Sequence, residues 1–251
     1  MGIKFIEDEN CNEHTRTIIK FVNCPHKIIS RNSDIEEVNA EYEKAFIRGK
    51  NEGFIPVLVP ADSVLAEWFS FDDVDYSKEK ILEDVKKETK TGLKLLEEKC
   101  KLYFEDYEED YEDYKQYIED DFWEDMEDDD DYDSELLSSF VDKETILFEI
   151  PVKNPWEIIA WLPFGGWNEC PEPVEMMMIC QYWYNEYKAV PAVISHDTME
   201  FILKNPISDE EVAWEVAKQH CIFCSECIES GSLCEVTDSI LDSKIWYFWW
   251  D

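Results

Sequence analysis

Residues 146–203 read ILFEIPVKNPWEIIAWLPFGGWNECPEPVEMMMICQYWYNEYKAVPAVISHDTMEFIL. Apolar and β-branched residues alternate through Ile146–Val152 and again through Val190–Leu203, the pattern of strands packed on a core. Between them lie an aromatic loop rich in Gly and Pro and a run at helical spacing: Met176, Met177, Cys180, Trp183, Tyr184 and Tyr187, opened by Pro173 where a first helical turn tolerates proline. The order strand, loop, helix, strand predicts one packed α/β unit. Its last strand divides at His196 and Asp197 into Ala189–Ser195 and Thr198–Leu203. Beyond it, Ser208 and Glu211 make a capping box for a helix with inner face Val212, Ala213, Val216, Ala217 and His220. A short helix near Asp238–Leu241 and a terminal WYFWWD follow, the latter read as a strand over Trp246–Trp250 buried on both faces.

Toward the N-terminus, Thr17–Val22 and Lys27–Ser30 read as a small strand pair. Ser33 and Glu36 form a capping box, and Ile35, Val38, Tyr42 and Ala45 predict a helix over 34–48 that Gly49 stops. Phe54–Val59 reads as a strand that Pro56 confines to an edge or a bulge, and Asp62–Phe69 as a short helix. From Ser77 the period is helical again, through Ile81 and Val85. After a weak point at Gly92 it continues with Leu96, Cys100, Tyr103, Tyr107, Tyr111, Tyr114, Ile118 and Phe122, the apolar face of one long helix.

The other faces of that helix are acidic, with carboxylates at 19 of the 31 positions from Glu105 to Glu135. Like charges four apart (Glu105 with Glu109, Asp106 with Asp110, Glu108 with Glu112, Glu109 with Asp113) together cost about 1–2 kcal/mol. Burying even two of the tyrosines contributes about 1.5–3 kcal/mol each. The helix therefore holds to about Phe122 if its tyrosine row, Tyr103 to Tyr114, is docked. Glu124–Asp133 lacks such a row and is expected to be loop or disorder. The expected fold is α+β: a mixed sheet with flanking helices, and a long acidic helix or linker between two α/β portions. Its parts are an N-terminal α/β portion (1–75), the acidic helical segment (76–135) and a C-terminal α/β domain (136–251).

Charge narrows the partners. Twenty-three Lys and Arg stand against 60 Asp and Glu, a formal charge of −37. That repels phosphate backbones and anionic lipid, so neither nucleic acid nor membrane is an expected partner, and a basic protein is. Residues 1–12 carry Glu7, Asp8 and Glu9 and no apolar stretch behind a basic start, so no signal peptide is expected. Nine cysteines, an odd number without framework spacing, fit free thiols in a reducing cytoplasm.

Four strings occur in order in the C-terminal half: NPWEIIAWLPFGGWNECP (154–171), YWYNEYKAVPAVISHDTMEF (182–201), a helix ending HCIFC (220–224) and the terminal WYFWWD. Together they make residues from about 140 to 251 resemble an uncharacterised bacterial family, domain-of-unknown-function family 4253. FIPVLVP (54–60) resembles an N-terminal portion of its longer members. The resemblance carries no activity, cofactor or ligand set with it.

The residues themselves pose four alternatives. Trp156, Trp161 and Trp167 around Gly165 and Gly166 read either as a core plug or as walls of a ligand pocket. Asn168, Glu169 and Cys170 follow in that loop, and His196, Asp197 and Glu200 lie at the junction of two strands. A histidine oriented by a carboxylate acts as a general base and a cysteine as a nucleophile where the fold brings them together; the plainer reading is a hairpin turn. Cys221, Cys224 and Cys227 form CxxCxxC after His220, read as small core side chains or, alternatively, as ligands for zinc; no cofactor is the expectation. Glu105, Asp106, Glu108, Glu109, Asp110, Glu112 and Asp113 form the candidate docking face for a basic protein. With no catalytic motif assembled in the sequence, the expectation is a non-catalytic, inhibitor-like or immunity-like interaction module. A small-molecule protein or enzyme using the Trp/Gly loop is the alternative, and metal binding the second.

Overall fold

The computed structural model describes residues 2–70, 77–105, 111–119, 136–229 and 232–251. Seven strands form one sheet: β1 (Phe5–Ile6), β2 (His26–Ile29), β3 (Ile55–Pro60), β4 (Thr145–Ile150), β5 (Ala189–Ile194), β6 (Thr198–Leu203) and β7 (Ile245–Trp249). Their order is β1-β2-β4-β3-β5-β6-β7. β3 and β5 run parallel, with Leu58 opposite Val193, and every other pairing is antiparallel. Because β4 inserts between β2 and β3, strands from both ends of the chain share one sheet.

The helices are α1 (Glu13–Val22), α2 (Ile35–Glu52), α3 (Ser63–Trp68), α4 (Lys78–Lys87), α5 (Gly92–Tyr103), α6 (Tyr111–Glu119), α7 (Ile158–Trp161), α8 (Pro173–Tyr187), α9 (Glu210–Phe223), α10 (Glu226–Glu229) and α11 (Leu233–Ile240). Strand alternation sorts the two cores. Leu58, Leu147, Val193 and Ile245 face α2, which brings Val38, Tyr42 and Ala45 to that side with Leu137 and Phe140. Val57, Val59, Ile146, Phe148, Phe201, Trp246 and Phe248 face the larger layer built from most of the other helices. At its centre Trp183 of α8 stacks on Phe248 at 5.6 Å, meets Phe201, Phe223 and Trp246 edge-on, and donates its indole N–H to Gln219 at 2.9 Å. Such ring pairs each contribute about 0.5–1.5 kcal/mol beyond the area they bury. Among the described residues no helix is long and apolar enough to cross a membrane.

The mixed sheet with flanking helices is the expected α+β architecture. β4, β5 and β6 fall within a residue or two of the strands read from 146–203. Several local expectations are corrected. Thr17–Val22 is the end of α1, not a strand; Asn12, whose side chain accepts the Thr15 N–H, starts a helix further upstream. Neither capping box forms as expected: the N-caps are Asp34 and Asp209, each just after the predicted serine, which accept the Glu37 and Val212 amides. Gly49 does not end α2, which runs on to Glu52 and stops at Gly53 with φ 83°. Instead, Gly49 lets the chain fold back: a Cβ there would lie 2.3 Å from the Phe54 carbonyl oxygen.

Pro56 lies in an inner strand, not at an edge. It precedes Leu58, where the pairing with β5 is made, so its missing N–H costs that ladder nothing. The WYFWWD strand is buried on one face only. β7 is the edge of the sheet, so Trp246, Phe248 and Trp250 point into the core while Tyr247 and Trp249 remain 44% and 42% exposed. Val212, expected on the inner face of α9, is exposed.

The long helix expected through Leu96–Phe122 is broken. α5 ends at Tyr103, and Phe104 leaves helical geometry with its N–H on the Cys100 carbonyl. The cause lies in what the two pieces must touch. Cys100 lies within the field of Lys218 and Glu215, whereas Tyr114 stacks on Trp214 at 5.7 Å. Those sites are about one turn apart on α9, roughly 6 Å, but an unbroken helix would separate Cys100 from Tyr114 by about 21 Å. Tyr103 accordingly turns outward, 47% exposed, and Phe104 takes the inward place. Tyr107, four of the proposed docking carboxylates (Asp106, Glu108, Glu109, Asp110) and the coil expected over Glu124–Asp133 lie outside the described residues.

Candidate functional site

The parallel pair β3–β5 ends its strands on the same edge of the sheet, the place where α/β sheets gather polar groups. The chain leaving β3 reaches Asp62, whose Oδ1 caps α3 by accepting the Leu65 N–H at 2.9 Å. The chain leaving β5 turns at Ser195–Thr198, closed by Ser195 N–H on the Thr198 carbonyl at 2.9 Å. This turn places His196 between two carboxylates: Nδ1 is 2.7 Å from Asp62 Oδ2 and Nε2 is 3.2 Å from Asp197 Oδ2. Lys143, just before β4, lies 3.6 Å from Asp62 Oδ2.

Asp197 is the most heavily engaged member. Burial works to raise its pKa, but hydrogen bonds from the Ser195 and Thr198 hydroxyls (2.8 and 2.9 Å), the neighbouring His196 and the Trp249 indole N–H (3.2 Å) together hold it below the usual carboxylate range. Its carbonyl also accepts the Trp250 N–H at 2.9 Å. The expected contact of His196 with a carboxylate therefore exists, and it is made on both sides of the ring. Both ring nitrogens face carboxylate oxygens. The cluster ties α3, the β5–β6 turn and β7 together.

The other candidates go elsewhere. Cys170 is buried in the core beside Gly165, and burial pushes its thiol far above the ordinary range. Its thiolate is thereby disfavoured as a nucleophile. Glu200 is fully buried on the α2 side of the sheet, opposite Val193, where it accepts the amides and hydroxyls of Ser138 and Ser139. It belongs to the anchoring of that loop, not to the His196 cluster.

Asn168, in left-handed geometry at φ 47°, donates its side-chain amide to the Asp251 carbonyl, and Glu169 is exposed. The three tryptophans do not wall one pocket: Trp156 meets Tyr184 at 5.3 Å, Trp161 lies under the Lys78 ammonium at 3.7 Å, and Trp167 meets Trp68 at 5.7 Å. The two glycines serve the backbone. A Cβ on Gly165 would lie 2.0 Å from the Pro171 carbonyl oxygen, and Gly166 donates its N–H to the Cys170 and Pro171 carbonyls. With Phe164 buried against Trp250 at 5.2 Å, the loop is a core plug.

A groove of about 460 Å³ opens beside β7, between α10 and α11. His220, Cys224 and Cys227 line it with Val236, Ile240 and Trp246. His220 is enclosed by the rings of Trp246 (4.6 Å), Phe248 (4.7 Å) and Trp183 (5.3 Å), and burial lowers its pKa to about 3. Among the described residues its buried Nε2 has no hydrogen-bond partner. Among the described residues no three His, Cys, Asp or Glu side chains converge as a metal would require. Of His220, Cys221, Cys224 and Cys227, Cys221 is buried within α9 while the other three line the groove.

The sequence does not point to Asp62 as the partner of His196, to Lys143 beside Asp62, or to Ser195 and Trp249 as donors to Asp197. Asp62 carried one local signal, as the residue opening a short helix, and that is the role its other oxygen performs. Residues 146–251 match the family model described as Domain of unknown function (DUF4253). No curated protein and no solved structure matches the chain.

Proposed function

We propose that this chain, a member of the DUF4253 family through its residues 146–251, is a non-catalytic binding protein whose acidic surface engages a basic protein, in the manner of an inhibitor or immunity protein. The observation that carries this reading is the seating of α6. Tyr114 is fully buried and stacks with Trp214 of α9 and with Tyr111, while Glu112 and Asp113 of the same turn are exposed. Docking one face of an acidic helix through aromatic rings holds its carboxylates outward at a fixed position, the arrangement that steers a cationic partner. The overall charge of −37 extends that field well beyond one helix. The closed bonding of His196 and the burial of Cys170 favour a binding role over a reaction at the residues the sequence singled out.

The test is a titration of the full chain with a lysine-rich protein probe over a range of salt concentrations. Affinity is expected to fall steeply with ionic strength. Replacing Glu105, Asp106, Glu108, Glu109, Asp110, Glu112 and Asp113 by their amides should weaken binding at low salt, by up to about 1 kcal/mol per charge. Binding that ignores salt, or that survives all seven replacements unchanged, overturns the reading.

A further inference from the structure

We propose that Cys224 and Cys227 form a hydroperoxide-reactive dithiol on the wall of the groove beside β7. All nine cysteines are thiols in this structure. These two are brought together where α9 gives way to α10. Cys224 caps α9 in extended geometry, and the Cys227 N–H returns to the Cys224 carbonyl at 3.2 Å. A turn closed between residues three apart brings their Cα atoms within about 7 Å, close to the span a disulfide bridges. The side chains already meet through a hydrogen bond between the two thiols, and both residues line the groove.

The environment divides the labour between them. The Cys227 thiol donates to Cys224, and with the Glu226 and Cys227 amides it holds Cys224 below the ordinary thiol range against its burial. The Cys224 thiol also donates to the Trp249 carbonyl at 2.9 Å, which ties it to β7. Cys227, whose proton is held in that bond and which is half-buried, is raised. A thiol whose ionisation is eased, beside a neighbour whose ionisation is opposed, is the pairing of an attacking and a resolving cysteine. Cys224 itself is buried at the groove wall; the half-buried Cys24 and Cys100 have no such thiol neighbour among the described residues, and burial pushes them up to about 12 and about 11. The groove is walled by Val236, Ile240 and Trp246, surfaces that suit the organic part of an alkyl or aryl hydroperoxide.

The chemistry balances as two steps. The Cys224 sulfur attacks the terminal oxygen of ROOH; the O–O bond breaks, ROH leaves with the proton, and Cys224 becomes a sulfenic acid. The Cys227 sulfur then attacks the Cys224 sulfur; the S–O bond breaks, and the hydroxide departs as water with the Cys227 proton. Two electrons pass from the dithiol to the peroxide, and two equivalents of a small thiol restore the pair while forming their own disulfide.

The experiment treats the reduced full chain with cumene hydroperoxide, quenches with an alkylating agent and maps each cysteine by mass spectrometry. Cys224 and Cys227 are expected to lose alkylation together, about tenfold faster than Cys24 and Cys100, and to recover it with dithiothreitol. In Cys227→Ser, Cys224 should instead accumulate as a sulfenic acid trapped by dimedone. The proposal fails if the pair stays alkylatable while Cys24 and Cys100 react, or if Cys227 pairs with Cys221. It also fails if a folded Cys227→Ser, verified by near-ultraviolet circular dichroism, yields no dimedone adduct at Cys224.

Discussion

Lowering the pH from 7 to 5 should destabilise this protein through one residue, His220. Its ring is enclosed by Trp183, Trp246 and Phe248, and burial brings its pKa down to about 3 from the 6.5 of a free imidazole. The unfolded chain takes up a proton near pH 6.5 that the folded chain refuses until about pH 3. The stability tied to this group is therefore complete above 6.5 and is lost progressively as the pH falls toward 3. At about 1.36 kcal/mol per unit, the loss by pH 5 is about 2 kcal/mol, nearly all of it absent at pH 7. Many carboxylates titrate on the same approach, so the measurement must be a difference. Urea unfolding of the native protein and of His220→Phe at pH 7 and at pH 5 isolates the histidine, because phenylalanine keeps an aromatic ring among the same neighbours and binds no proton. The native protein should lose about 2 kcal/mol more than the variant over that interval. Parallel losses in the two proteins would refute the argument and mean that the ring is hydrated or paired in solution.

Trp214→Ala removes the surface on which Tyr111 and Tyr114 stack. It should cost about 3–5 kcal/mol in urea unfolding and speed amide exchange in α6; unchanged exchange there would show that α6 is held by something else. Asp62→Ala deletes both the α3 cap and a partner of His196, for a loss of about 1–2 kcal/mol, and a thermal melt indistinguishable from native would contradict those bonds. Gly165→Ala forces a Cβ to 2.0 Å from the Pro171 carbonyl oxygen at φ 102°. It should lower the melting temperature by several degrees, the strain being on the order of 1–3 kcal/mol.

Short-range chemistry made some elements readable. The strands within 146–203 are β-branched and end at turn residues, so β4, β5 and β6 stand where alternation puts them. Proline at the start of α8 fits a first helical turn in any tertiary setting. The helix starts at 34 and 209 were legible to within a residue, but not to the atom. A serine and the aspartate after it both suit a cap, and the choice between them rests on how the preceding chain approaches the sheet. Thr17–Val22 misled because its β-branched residues also fit the buried face of a short helix, where Ile18 and Val22 lie one turn apart.

Residue type and spacing along the chain suffice to mark which segments can be strands or amphipathic helices, and the composition alone makes the molecule strongly acidic. Long-range packing sets the insertion of β4 between β2 and β3, the division of the long aromatic period at Phe104, and the edge position of β7 with Tyr247 and Trp249 left outside. It likewise decided that His196 meets Asp62, 134 residues away in the chain, and not Cys170. These are matters of which surface covers which, and a side chain's partners across the sheet leave no mark on the spacing of its neighbours.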